Sequence, residues 1–386
     1  MSCAWGTCAG TEVCNFIDDN GDGQVDEGFD WVVGSWQTLL SGVPYAAVDD
    51  AVLLSNGNVA VTGAYGGGGG ADKGFILIVS PAGSVVSGPL YTSIPKQGMG
   101  GAQITVTGSG EIAAVYGSTD YAGCSAGCPA TLVRATQSPL QAVATVTIPY
   151  PFSVHAIPGF GWSTAGYITF ATEQSTLNTH VSWLGSTAAS VSRDIGVGLQ
   201  GTGWGDLVVG TSAIAWASTH GANPATTVRF GLYALDGTQL LSSTLASSSN
   251  NPSVHTGSLA WFGSDLALGW SEYPSSQQLS RVARYSTSGT VVAGPTNVGA
   301  TGRDLFGIAV LGPNLLVNTR VLPSVNTAIY RLRSDLQPVT SPSGPLVVGI
   351  TNAYSPVMIP TSAGLLLVRG VYSGGTVLSA LVHCPP

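Results

Sequence analysis

The residues best suited to do chemistry lie near the start of the chain. From Cys14 to Phe29 the sequence reads Cys-Asn-Phe-Ile-Asp-Asp-Asn-Gly-Asp-Gly-Gln-Val-Asp-Glu-Gly-Phe. Asp18, Asn20 and Asp22 set oxygen donors at alternate positions, and Gly23 follows where such a loop must turn sharply. Gln24 can add its backbone carbonyl, and Asp26 and Glu27 can close the set. A hard cation that takes roughly six to eight oxygens suits this pattern, so the loop predicts calcium, Ca2+. Five carboxylates fall within ten residues, Asp18, Asp19, Asp22, Asp26 and Glu27, and they repel one another unless a cation intervenes. The plainer alternative is a cluster of Asx turns.

The first half of this loop follows the D-x-[DN]-x-[DN]-G pattern of an EF-hand. The second half departs from it. Phe29 stands at position 12, where an EF-hand places a bidentate Glu, and the nearest acids are at positions 9 and 10. The loop resembles the excalibur-type D-x-D-x-D-G-x-x-C-E pattern. It also resembles the short Cys…Asp-x-Asp-Cys-Asp-Gly-x-x-Asp-Glu-Gly metal-binding segments of secreted bacterial proteins, notably of myxobacteria. The resemblance covers 16 residues. It implies an extracytoplasmic bacterial protein with calcium at Asp18, Asn20, Asp22, Gln24 and Glu27. Gly21 stands where those segments carry a second Cys. The usual local disulfide is therefore excluded, and Cys14 is expected to pair elsewhere, with Cys3 or Cys8. The expected role is structural: a short segment with few apolar residues cannot fold by burial alone, and metal with disulfides supplies the missing stability.

The elements that must position such a loop show as a repeat. From about residue 46, short runs rich in Val, Ile and Leu alternate with turns holding Gly, Pro and Asn, the pattern of strands joined by hairpins. Ala47 to Leu54, Val59 to Ala64, Phe75 to Val79 and Val85 to Tyr91 form the first set of four. Units begin near Ala46, Met99, Phe152, Thr202, Pro252, Thr301 and Asn352, a spacing of roughly 50 residues that marks four-stranded propeller blades. No segment sustains a helical period. The fold expected is all-β, a seven-bladed β-propeller of antiparallel blades. The seventh unit has only three runs, Val357 to Pro360, Leu365 to Val371 and Thr376 to Val382. An open edge is a liability, and Trp31 to Trp36 resembles the fourth runs of other units. It is expected to close the ring and bring Cys384 beside the N-terminal cysteines. Residues 1–30 then form a cysteine-rich loop segment and 31–386 the propeller.

Composition agrees. Only 8% of the 386 residues are charged, while 53 are Gly and 22 Pro. With two lysines, Lys73 and Lys96, long exposed helical faces are not expected. A net charge of −8 with scattered arginines excludes a nucleic-acid footprint. No apolar run is long enough for a membrane-spanning helix. The six cysteines, Cys3, Cys8, Cys14, Cys124, Cys128 and Cys384, cluster at termini and around one Gly/Ser loop, which favours disulfides over zinc. The expected location is extracellular, at the cell surface or periplasmic, with a signal peptide already removed.

Aligning the units puts Asp49 or Asp50, Gly101, His155, Thr202 to Trp204, His255, Asp304 and Ser355 at the channel mouth. Asp49, His155, Trp204, His255 and Asp304 are the candidate ligand site, able to hold a metal or a polar ligand; the plainer reading is that they satisfy water and loop backbone. Tyr65, Tyr121, Trp204 and Tyr273 are expected on or near that face, where aromatics suit carbohydrate or peptide. No nucleophile elbow or His-Glu-x-x-His motif is present. The expected function is a binding or structural protein of the cell surface or matrix, its partner a glycan or a protein, with self-association as a further expectation from a surface poor in charge. The alternative is a hydrolase or lyase acting at the channel mouth.

Overall fold

The structure, a computed structural model, describes residues 12–66, 72–96, 102–117, 130–152, 154–173, 175–197, 205–221, 227–248, 252–254, 258–273, 278–300, 302–321, 326–339, 341–349, 356–371 and 375–384. It is a seven-bladed β-propeller of antiparallel sheets, the first six built in sequence order, innermost strand first. The first blade is Ala47–Leu53, Val59–Tyr65, Asp72–Val79 and Val85–Lys96. The second is Ala102–Val106, Ile112–Tyr116, Ala130–Gln137 and Leu140–Ile148, and the third Val154–Ser163, Gly166–Glu173, Thr179–Leu184 and Val191–Gly196. The fourth is Gly205–Val209, Ala213–His220, Thr227–Ala234 and Gln239–Ser248, and the fifth Leu259–Phe262, Asp265–Glu272, Leu279–Tyr285 and Val291–Asn297. The sixth is Arg303–Leu311, Asn314–Val321, Thr327–Leu332 and Leu346–Val348. The seventh takes Val357–Thr361, Gly364–Val371 and Thr376–His383 from the C-terminus, and its outer strand from the N-terminus.

That outer strand is the expected one. Val32 and Val33 pair with His383 and Val382, and the amide of Gly34 donates to the carbonyl of Leu381 at 2.9 Å. Gln37–Leu40 continues along Ser379 to Val377. The chain thereby covers the edge that three C-terminal strands would leave open.

Burial explains why the repeat was legible. Second strands are covered by a neighbouring blade on both faces, so Ala213–His220 is buried at every position. Such strands read as continuous apolar runs rather than alternating ones. Outer strands have no such cover, and Leu140–Ile148 is mostly exposed or half-buried. Seven apolar clusters fill the seven junctions between blades. The junction of the last blade with the first brings Ile359, Leu366 and Val368 against Val59, Phe75 and Leu77. Here the backbones approach so closely that a Cβ on Gly370 would lie 2.0 Å from the carbonyl oxygen of Ala46.

Trp183, Trp216 and Trp270 pack in the junctions, and the half-buried Trp261 lies against the junction of blades four and five. The fifth blade departs most from the repeat register. Its innermost strand starts at Leu259 rather than near Pro252, and Ser253 reaches Ser271 by an isolated bridge.

Candidate functional site

The acidic loop is a nest of Asx turns. Asp18 Oδ1 accepts the amides of Gly21 (2.6 Å) and Asp22 (3.1 Å), and Oδ2 accepts that of Gly23 (2.9 Å). Asn20 Oδ1 accepts the Asp22 amide, and Asp22 Oδ1 the Gln24 amide. The Asn20 side-chain amide donates to Glu27 Oε1 at 2.5 Å. The other Glu27 oxygen, Oε2, is buried and has no hydrogen-bond partner. An unpaired buried acceptor is costly to leave unmet, and a hard cation is one partner that would meet it. The carboxylates of Asp18, Asp22 and Glu27 do not form a close group here, their neighbours being backbone amides and the Asn20 amide.

Asp26 is the fully buried acid of the loop, in the left-handed backbone region (φ 50°). Its carboxylate accepts the amides of Asn15 and Phe16 and the indole N–H of Trp31 at 2.9 Å. Glu12, which the sequence reading passed over, ties both halves of the loop together. Its two oxygens accept the amides of Asp26 (2.9 Å) and Asn20 (3.3 Å). Burial raises its pKa, with the charges of Glu27 and Asp18 adding to the shift.

The loop sits on blade six. Val25 is fully buried in the junction of blades six and seven, with Trp31, Leu311, Ile329 and Leu365. Asn314 brackets it, accepting the Val25 amide at 2.7 Å and donating to the Gly23 carbonyl at 3.1 Å. Arg331 donates to the carbonyls of Val25, Asp26 and Phe29 at 2.8–3.0 Å, and its guanidinium lies 4.4 Å from the centroid of Trp31. Burial lowers the Arg331 pKa, while Asp26, Asp30 and Glu27 oppose that shift. One counter-charge for the crowded carboxylates thus comes from the propeller itself. Asp30 accepts the hydroxyls of Ser341 and Ser343 and the Ser343 amide. A cavity of about 390 Å³ lies beside this clasp, lined by Trp31, Tyr330, Arg331, Val339, Pro345 and Leu346.

A disulfide joins Cys14 to Cys384. The expected tie between the C-terminal cysteine and the N-terminal group is present. The expected pairing of Cys14 with Cys3 or Cys8 is not, because ring closure seats Cys14 beside the last strand. Cys3, Cys8, Cys124 and Cys128 lie outside the described residues. Among the described residues, one group of three metal-capable atoms lies close together, Cys14, Asp26 and Cys384, and its sulfurs are bonded to each other.

At the channel mouth the described acids bridge blades. Asp49 Oδ2 accepts the amide of Ala102 (3.0 Å) and Asp50 Oδ2 that of Ile104 (2.9 Å), both on the next innermost strand. Asp206 does the same for Leu259 at 2.8 Å. Asp304 accepts the hydroxyl of Ser271, whose oxygen in turn accepts the Leu305 amide. Asp49, Asp50 and Asp206 thus accept backbone amides of the next blade, and Asp304 a serine hydroxyl. Burial raises the Asp50 pKa to about 7; the Ile104 and Ala51 amides oppose that, and the Asp49 charge adds to it. Trp204, His255, Gly101, Ser355 and Tyr121 lie outside the described residues, as does the His155 side chain. Tyr65 meets the exposed Tyr91 edge-on at 5.3 Å, and Tyr273 accepts a hydrogen bond from Gln278.

Two Ser/His arrangements escaped the sequence reading. Ser218 Oγ lies 2.7 Å from His220 Nε2, and both residues are buried. Burial, then the charge of Arg229, lowers the His220 pKa to about 4. In blade three, Asp194 stands between Ser182 (2.6 Å) and His180 (2.9 Å), so the carboxylate rather than the imidazole holds the middle place. A triad needs the reverse order.

No family model matches the sequence, and no curated protein matches it. Solved structures match in fold. A polysaccharide lyase of family PL25, an ulvan lyase, aligns with TM-score 0.53 at 12% identity, over 93% of this chain and 96% of that one. The hydrazine synthase of Kuenenia stuttgartiensis aligns with TM-score 0.53 at 11% identity, over 89% and 97%. A protein of unknown function from Dyadobacter fermentans aligns with TM-score 0.51 at 11% identity, over 92% and 99%. At such identities the likeness is one of fold, which enzymes and other proteins share.

Proposed function

We propose that this chain is an exported binding propeller whose ring closure is stapled by calcium, acting on a cell surface or in the extracellular matrix on a glycan or a protein. The observation that carries the staple is the partnerless Glu27 oxygen in a loop of oxygen donors docked against the closing strand. Asp18, Asn20, Asp22, Glu27 and the Gln24 carbonyl would hold the ion, and Asp26 would shape the loop from behind. Bound there, the cation supplies positive charge to carboxylates that Arg331 only partly balances. Export is supported by the disulfide that joins the chain's two ends.

Binding rather than turnover is favoured by the buried or misordered Ser/His pairs. The Tyr65–Tyr91 pair supports a glycan or peptide surface, since Tyr91 is 45% exposed. Calorimetric titration with calcium, followed by glycan-array screening of wild type and Tyr91→Ala, tests both parts. No calcium binding defeats the staple; array signals indifferent to Tyr91 defeat the surface.

Self-association rests on a separate observation. Val85, Val86, Val143, Leu240, Val291 and Val347 on outer strands are each 44–60% exposed, and uncharged edges invite pairing. Light scattering that shows a monomer at high concentration counts against it.

A further inference from the structure

Three blades carry an arginine at one register position. Arg134, Arg284 and Arg331 pair with Ala113, Ala267 and Leu316 of their second strands. Two residues before each of those partners stand Glu111, Asp265 and Asn314. In blades two and five the arginine forms an ion pair with that acid at 2.5 Å. Blade six has a neutral amide instead. Arg331 therefore has no acid there, and both side chains turn to the backbone of the N-terminal loop, at Gly23, Val25, Asp26 and Phe29. Asn314 is fully buried and Arg331 8% exposed, so the contacts are shielded from water.

We propose that Asn314 and Arg331 are positioning residues for the cation loop, which hold the Gly23 to Phe29 backbone against blade six so that the loop can close on the ion. This rests on the reading of that loop as a calcium site. An amide can accept from Val25 and donate to Gly23 at once; a carboxylate can only accept. Glu or Asp at position 314 would also draw Arg331 back into the ion pair of blades two and five. Charge and positioning then predict opposite outcomes for Asn314→Asp. Added negative charge alone tightens cation binding. Loss of the Gly23 contact and of Arg331 loosens it.

The experiment titrates calcium into wild type, Asn314→Asp, Arg331→Lys and Asp265→Asn as full-length oxidised chains, and follows proteolysis of residues 12–30 by mass spectrometry. Asn314→Asp is expected to fold, since two blades already hold the same pair, and its melting temperature checks this. Expected are calcium affinity about tenfold or more weaker and faster loop cleavage in Asn314→Asp. Arg331→Lys, which keeps the charge but loses the planar fork, should behave alike. Asp265→Asn should leave both readouts unchanged. Equal or tighter binding by Asn314→Asp with wild-type protection overturns the positioning role while leaving the calcium reading intact. A wild type that binds no calcium overturns both.

Discussion

Removing the Cys14–Cys384 bond offers a direct measure of how the ring is held. The two sulfurs are 370 residues apart in sequence, so the bond constrains nearly the whole unfolded chain. Chain-entropy scaling gives about 20 cal/mol/K for a loop of that size, or ~6 kcal/mol at 25 °C. A chain of this length unfolds with an entropy of about 0.8 kcal/mol/K, so the loss corresponds to a fall of ~7 °C in Tm. The native state should change little, because Val32 and Val33 stay paired with the last strand and Val25 stays buried. Differential scanning calorimetry of the Cys14→Ser/Cys384→Ser variant against the oxidised wild type reads the effect. A melting temperature within about 1 °C of wild type would refute the reasoning, because entropy of this size cannot vanish if the bond closes the ring.

The remaining predictions concern the loop, the channel and one tight junction. Chelation, or Asp22→Ala, should lower the melting temperature by about 5 °C relative to saturating calcium, the shift expected from ~4 kcal/mol of linked binding; unchanged melting and protease sensitivity would sink the structural role. Asp50 has its pKa raised from 3.8 to about 7, so the folded chain holds a proton that the unfolded chain has lost. Stability should therefore fall as pH rises from about 4 to about 7, and Asp50→Asn, which keeps the acceptor for Ile104, should recover roughly 1–3 kcal/mol at pH 8 after allowance for partial exposure. Equal denaturation curves for both proteins at pH 8 would count against this. Gly370→Ala would drive a methyl onto the Ala46 carbonyl and should cost about 2–4 kcal/mol in urea unfolding; an unaffected midpoint would show that the junction yields.

The repeat was legible because blade strands buried on both faces must be apolar throughout, and their turns must hold Gly, Asn or Pro. Strand identity and blade number followed from that, and the closing role of Trp31 to Trp36 from the fourth run that the seventh unit lacks. Register in blade five did not, because its seven-residue offset at Leu259 leaves no compositional mark. The spacing of Asp18, Asn20 and Asp22 was also legible, since the Asx turns these side chains make are local to the chain.

Other features depended on residues remote in sequence. Glu12 and Arg331 read as isolated charges among many, and only folding sets them against Asp26. Asp26 reads as one oxygen donor among several, and only folding makes it the buried acceptor for Asn15 and Trp31. Cys14 reads as a partner for its neighbours, yet ring closure delivers Cys384 to it. The physical reason is common to all three. Local spacing determines which atoms could meet, whereas burial and long-range pairing determine which of them have their bonds already taken.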